Sequence, residues 1–218
     1  MIGQSCQKGA DLAPLVIKEH LGVDVELLNA DTETNVDTAR TRAEKLIQEG
    51  AHCLVGPFDS GAAAAIAQVA EQRGVPFIIN IAAAPQITEQ GYKYVFRNFP
   101  IATELVKNGL ALTDELFKAT GTTPHTAVFM HVNDTFGQAN AKAVAAILPQ
   151  LNLPFKVVDT IAYDPGAKDL TVEVSKAKAT KADFLLLVCR LNDAIVAIEI
   201  ESLSRRDSAT AESVAGRL

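Results

Sequence analysis

Cysteine is scarce in this 218-residue sequence: Cys6, Cys53 and Cys189 lie far apart and form no CxxC pair. So sparse and odd a set offers no disulfide framework and does not fix a redox compartment. Cys53 and Cys189 fall in apolar, strand-like runs, where a thiol is expected to pack as a small hydrophobe. The four histidines are scattered without ligand spacing, so no metal site is expected. No apolar run is long enough to cross a bilayer, and no signal-peptide pattern opens the sequence, which leaves export of a longer parent open. Basic runs are missing apart from Ser204-Arg205-Arg206, and the net charge is -6, so nucleic acid is not an expected partner. There is no GxSxG elbow, no Walker sequence and no dinucleotide fingerprint, which argues against an enzyme and against a bound cofactor.

What is present is enough apolar material for a sizeable core: 48% of the residues are hydrophobic. The most informative stretch is Gly56-Pro57-Phe58-Asp59-Ser60-Gly61, between a short apolar strand and an alanine-rich helix over 62–73. Ser60 is placed where an N-cap belongs, with the remaining amides of the first turn facing outward. That arrangement suits either an ordinary capped helix or a seat for a carboxylate.

Strands and helices alternate along the whole chain. The pattern predicts a strand over 23–28, then a helix capped by Asn35 and stopped by Gly50. Strands follow over 53–55, 76–79 and 94–97, and then a long amphipathic helix over 102–119. After turn chemistry at Gly121-Thr122-Thr123-Pro124, strands over 127–132, 155–161 and 184–188 alternate with helices over 137–148, 170–179 and 194–200. This predicts an α/β fold of two Rossmann-like (flavodoxin-like) lobes with parallel sheets and helices on both faces. The lobes are expected over 1–120 and 121–201, with 202–218 a polar, frayed tail. In such sheets ligands sit beyond the carboxyl ends of the strands. The loops that matter are therefore 56–60, 80–85, 131–137 and 189–193. Pro14 is expected to kink the first helix unless that helix begins near Asp11.

In order and spacing, several motifs match a known family. They are Gly3-Gln4 with Gly9-Ala10, Asn29-Ala30-Asp31-Thr32, Leu54-Val55-Gly56-Pro57, Gly74-Val75-Pro76, Ala84-Pro85-Gln86-Ile87-Thr88 and Tyr94-Val95-Phe96-Arg97. In the second half they are Asn133-Asp134-Thr135-Phe136-Gly137, Tyr163-Asp164 with Gly166 and Asp169, and Ala182-Asp183-Phe184. From about Ile2 to Ile200 the chain resembles the periplasmic solute-binding proteins of branched-chain amino acid ABC transporters, the leucine/isoleucine/valine-binding type. The resemblance implies a type I periplasmic-binding-protein fold, a ligand cleft between two lobes, a periplasmic location, an ABC permease as partner, and no catalysis. Against that pattern the first strand of the first lobe is missing and the second lobe is incomplete. The chain is therefore expected to be a fragment of a longer receptor, and a homodimer is one way of covering the edges this leaves.

Residue by residue, the resemblance assigns Ser60 to the ligand carboxylate, with Phe58 and Asp59 lining the cleft. Ile81, Ala82 and Ala83 fall on a second carboxylate loop, where Ala83 replaces a common threonine. Phe136 matches an aromatic that covers the ligand, and Ile2 falls where a tyrosine commonly stands. Arg190 departs from an aromatic position. It reads either as a solvated arginine after a strand or as a forked donor that favours an anionic ligand, such as an aromatic or aliphatic acid. Asn133 and Asp134 read as helix caps, His131 as a packed or hydrogen-bonded histidine, and Tyr92 and Tyr94 as structural. The expected function is a receptor for a small carboxylate-bearing solute, an amino acid or an aromatic or organic acid. The alternative is a cytoplasmic ligand-sensing regulator of the same fold.

Overall fold

The computed structural model describes residues 2–200; the expected polar tail over 202–218 lies outside them. The chain divides into two compact units, Met1–Ile101 and a second from Ala102 onward.

The first unit opens with α1 (Ile2–Leu21), followed by α2 (Val36–Gln48), β1 (Leu54–Gly56), α3 (Ser60–Arg73), β2 (Phe77–Ile79), a 3-10 turn (Pro85–Ile87) and β3 (Val95–Arg97). The three strands pair in parallel in the order β1-β2-β3. Across the sheet, Leu54, Phe77 and Val95 stand in one row and are buried. The next row is Val55, Ile78 and Phe96, on the opposite face as the period of two requires, and there Val55 is 70% and Phe96 54% exposed. Helices were expected on both faces, but here α3 packs against β2 and β3 and the Val55 row stays open to solvent.

The sheet lies close under α3 because that helix is nearly all alanine on its inner side. Ala62, Ala63, Ala67 and Ala70 have no exposed surface, and α2 packs on α3 through Ala39 and Ala43. Asn35 caps α2, its Oδ1 accepting from Thr38 N at 2.9 Å. Gly74 ends α3 at φ 65°, a left-handed conformation that glycine adopts without Cβ strain.

Several expectations fail in this unit. The strand expected over 23–28 makes no ladder: Val23, Val25, Leu27 and Leu28 are all exposed, because a strand is defined by a partner and this segment has none among the described residues. α1 starts at Ile2 with Pro14 in its interior, so of the two readings of Pro14 the start near Asp11 is the one that fails. Cys53 is exposed, since β1 begins one residue later, at Leu54.

The second unit contains α4 (Ala102–Thr120), β4 (Thr126–Val132), α5 (Thr135–Ile147), a 3-10 turn (Leu148–Gln150), β5 (Lys156–Tyr163), α6 (Thr171–Ala179), β6 (Phe184–Val188) and α7, helical over 191–200. Its sheet is parallel, in the order β5-β4-β6. β4 is central and its side chains alternate between two cores. Ala127 and Phe129 meet Val106 and Leu110 of α4 and Ala143 and Val144 of α5. Val128, Met130 and Val132 meet Val174 of α6 and Ala197 of α7. Here helices do cover both faces.

The expected boundary at 120/121 moves to 101/102, because the apolar face of α4 packs into the second core. β6 is half-buried along its length because it stands at the sheet edge.

Candidate functional site

Two groups of residues stand at the carboxyl ends of the strands, one in each unit. In the first, β1 and β2 end side by side, Gly56 opposite Ile79, so the loops starting at Pro57 and Asn80 leave the same edge of the sheet. Asp59, not Ser60, is the N-cap of α3: its Oδ1 accepts from Ala62 N at 2.9 Å. This corrects the cap assignment. The Asp59 carboxylate satisfies the amide three residues beyond the cap, and the serine moves one place inward to become the first helical residue. Ser60 is 1% exposed, and its Oγ has no hydrogen-bond partner among the described residues. Relieved of capping, that hydroxyl is a buried polar atom at a helix N-terminus, where backbone amides favour negative charge. Phe58 is half-buried beside it in sequence.

The second loop of this unit holds Ile81 half-buried and Ala82, Ala83 and Ala84 buried. It is pinned by Arg97, which sequence reasoning quoted without a role. Arg97 Nε donates to Ala82 O at 3.1 Å, one terminal nitrogen to Ala84 O at 2.7 Å and the other to Thr88 Oγ1 at 3.0 Å. Burial pulls the Arg97 guanidinium below its ordinary value, with Glu89 acting in the opposite direction. Arg97 is the last residue of β3 and pairs with Ile79, so register brings it to the loop after β2. Asn80, the first residue of that loop, carries a buried Oδ1 with no hydrogen-bond partner among the described residues.

In the second unit Asp134 caps α5, as expected: its Oδ1 accepts from Gly137 N at 2.8 Å. Its Oδ2 pairs with Arg190 at 2.5 Å, and the Arg190 guanidinium lies 5.8 Å from the centre of the Phe136 ring. Arg190 is therefore neither a solvated arginine nor an unpaired cation. Its neighbours in the sheet explain the contact, since β6 lies next to β4 with Val188 opposite His131. The Arg190 amide donates to Asp193 Oδ2 at 3.2 Å, and Ala194 N donates to Arg190 O at 3.0 Å as the first helical bond of α7, so Asp193 holds one orphan amide at the start of that helix.

Tyr163, at the end of β5, donates its hydroxyl to the same Asp193 oxygen at 3.0 Å. Burial, with Asp193 second, raises the Tyr163 phenol far above its ordinary value, and the same two causes in the same order raise the Cys189 thiol. Both groups hold their protons at neutral pH, so neither is an activated nucleophile. His131 is buried, stacks on Phe129 at 5.4 Å and donates from Nδ1 to Val132 O at 2.9 Å, a packing role.

Gly137 has a stricter reason to be glycine. A Cβ there would stand 1.7 Å from Val132 O, so α5 meets the end of β4 closer than any other residue allows. This close approach is what places Asp134 and Phe136 at the sheet edge.

A sequence profile of the family described as periplasmic binding protein matches residues 1–199. The chain belongs to the periplasmic binding protein family. Among relatives of this family, the Leu/Ile/Val-binding protein homolog 7 of Brucella abortus (strain 2308) is 24% identical over 206 residues, 91% of this chain and 51% of the relative. A periplasmic binding protein of Burkholderia mallei superposes with a TM-score of 0.76 at 23% identity, covering 93% of this chain and 53% of that one. An ABC-transporter solute-binding protein of R. palustris, solved in complex with 4-hydroxybenzoate, superposes with a TM-score of 0.72 at 18% identity, covering 88% of this chain and 52% of that one. The periplasmic-binding-protein fold read from the loops is thus the fold of the chain. The chain spans about half the length of the curated relatives it matches.

Proposed function

We propose that this chain is the solute-binding portion of a receptor for an ABC importer, acting in the periplasm and taking a small monocarboxylate, an amino acid or an aromatic acid. The observation that carries this reading is Ser60 Oγ, a buried hydroxyl without a partner at the N-terminus of α3. A ligand carboxylate would accept from it and from the free amides of the first turn, where the helix dipole adds to the attraction. The named ligands of related proteins, branched-chain amino acids and 4-hydroxybenzoate, share that carboxylate.

Phe58, Ile81, Ala82 and Ala83 supply the apolar surround of that seat. Within the second unit Arg190 is half of a neutral pair with Asp134, so it offers little net charge to an anion. The Ser60 hydroxyl is screened from bulk solvent, so a solute reaches it only when the surrounding loops part. Only a difference in affinity between the parted and closed arrangements would then drive closure.

Calorimetric titration of the full chain with L-leucine and with 4-hydroxybenzoate tests this. At least one should bind, and Ser60→Ala should weaken it about tenfold to a hundredfold, as for a hydrogen bond to a charged group. Unchanged affinity in Ser60→Ala, or equal binding of the corresponding neutral amides, would overturn the carboxylate seat.

A further inference from the structure

Ser60 is not the only buried polar group left without a partner on this edge of the first sheet. Asn80 Oδ1 is the other, and the two differ in a way that matters for a ligand. Facing a carboxylate, the serine hydroxyl is a donor. The amide oxygen of Asn80 is an acceptor and cannot bind a carboxylate at all. Whatever satisfies it has to bring an N–H or an O–H.

The position of Asn80 is firmly set. It directly follows Ile79, which pairs with Gly56 on one side and Arg97 on the other. Asn98 N donates to Ile79 O at 3.2 Å, continuing the ladder past the end of β2. Two of the three Arg97 hydrogen bonds fix the carbonyls of Ala82 and Ala84, and the third holds Thr88. With both flanks held, the Asn80 backbone has little freedom to carry its side chain to another partner. Buried side-chain acceptors are nearly always hydrogen-bonded, so a fixed exception calls for a reason. A hydrogen bond made at this atom does not displace one to bulk water, because the oxygen is out of contact with solvent.

We propose that Asn80 is a specificity-determining residue that reads a hydrogen-bond donor on the solute, selecting carboxylates that also carry an ammonium or hydroxyl group over acids that lack one. This rests on the carboxylate seat at Ser60. The two residues then form a complementary pair, Ser60 at the start of α3 after β1 donating to the acid and Asn80 directly after β2 accepting from the second group. A site that hydrogen-bonds a substrate N–H or O–H discriminates strongly against the analogue without it.

Matched pairs of solutes test it by titration calorimetry on the full chain: L-leucine against 4-methylpentanoate, and 4-hydroxybenzoate against benzoate. The donor-bearing member of at least one pair should bind at least about tenfold tighter, a free-energy gap of about 1.4 kcal/mol. In Asn80→Ala that preference should fall below about threefold, with the affinity for the plain acid nearly unchanged. The thermal midpoint of Asn80→Ala should not fall, because removing an unsatisfied acceptor breaks no bond; a purely structural asparagine would lower it. Asn80→Asp, which keeps an acceptor, should retain the preference for L-leucine. No preference in the wild type, or a preference that survives Asn80→Ala, overturns the proposal. Failure of the carboxylate reading shows separately, as Ser60→Ala binding all four acids like the wild type.

Discussion

The two sheets are built from the same unit, a parallel strand followed by a helix, yet they hold their strands in different ways. In the second unit β4 runs seven residues, and all but the first are buried, between α4 and α5 on one face and α6 and α7 on the other. In the first unit each strand is three residues long, and only one face is covered. The first sheet is held instead by small side chains and polar ties. Alanines bring α3 against the strands, Glu71 accepts from Lys93 N and Tyr94 N at 2.9 and 3.0 Å, and Arg97 clamps the loop after β2. Each buried alanine removes little apolar surface from water, so this sheet gains less from burial than one filled with phenylalanine, methionine and valine. The difference also separates roles. Among the described residues, the sheet with less apolar burial carries the two buried unpartnered side-chain atoms, Ser60 Oγ and Asn80 Oδ1, while the heavily buried one has its edge carboxylates, Asp134 and Asp193, already engaged.

The largest effect that would sharpen this contrast is expected from Gly137→Ala. The added methyl meets a backbone carbonyl that cannot rotate away, so α5 has to lift from β4, at a cost of about 3 kcal/mol. Urea unfolding followed by circular dichroism reads this. A loss below about 1 kcal/mol would mean that the second unit is as adaptable as the first.

Arg97→Ala comes next, at about 2 kcal/mol, because it strips donors from two buried carbonyls. Its distinctive sign is new proteolytic cleavage within residues 80–90. Cleavage unchanged from the wild type would show that the alanines hold the loop without the arginine.

The smallest effect is a pH dependence in the second unit. The amides of His125 and Thr126, with the Thr126 hydroxyl, hold the Asp183 carboxyl below the usual aspartate range, and Thr171 does the same to Asp169. A depressed folded value means stability that is complete above the unfolded value, about 4, and is lost as pH falls through the folded value beneath it. Acid titration of the thermal midpoint should show this loss only below about pH 4, and Asp183→Asn should shrink it. An unchanged acid limb in that variant would remove Asp183 as a tie between β4 and β6.

Much of the element pattern was legible because it rests on local chemistry. Asn35, Asp134 and Gly74 mark helix ends through hydrogen bonds and dihedrals that involve only near neighbours. The strand over 184–188 was readable from its apolar run, though its half-buried state was not, because edge or centre depends on which strands pair. Segment 23–28 shows the opposite failure. Its alternation is sound strand grammar, but a ladder needs a partner and none stands beside it among the described residues. The choice of Ser60 as cap failed by one residue, because Asp59 and Ser60 are both good caps and only backbone geometry separates them.

The sequence by itself determined the α/β alternation, the loops that end the strands, and the family to which the chain belongs, since these depend on residue order and short-range preference. The tertiary structure decided that α4 packs with the second unit, that Arg190 is tied to Asp134, that Arg97 clamps the loop after β2, and that Ser60 and Asn80 keep buried atoms unpaired. Each of these joins or fails to join residues distant in the chain. Whether a side chain finds a partner is set by strand order and register, which no local pattern encodes.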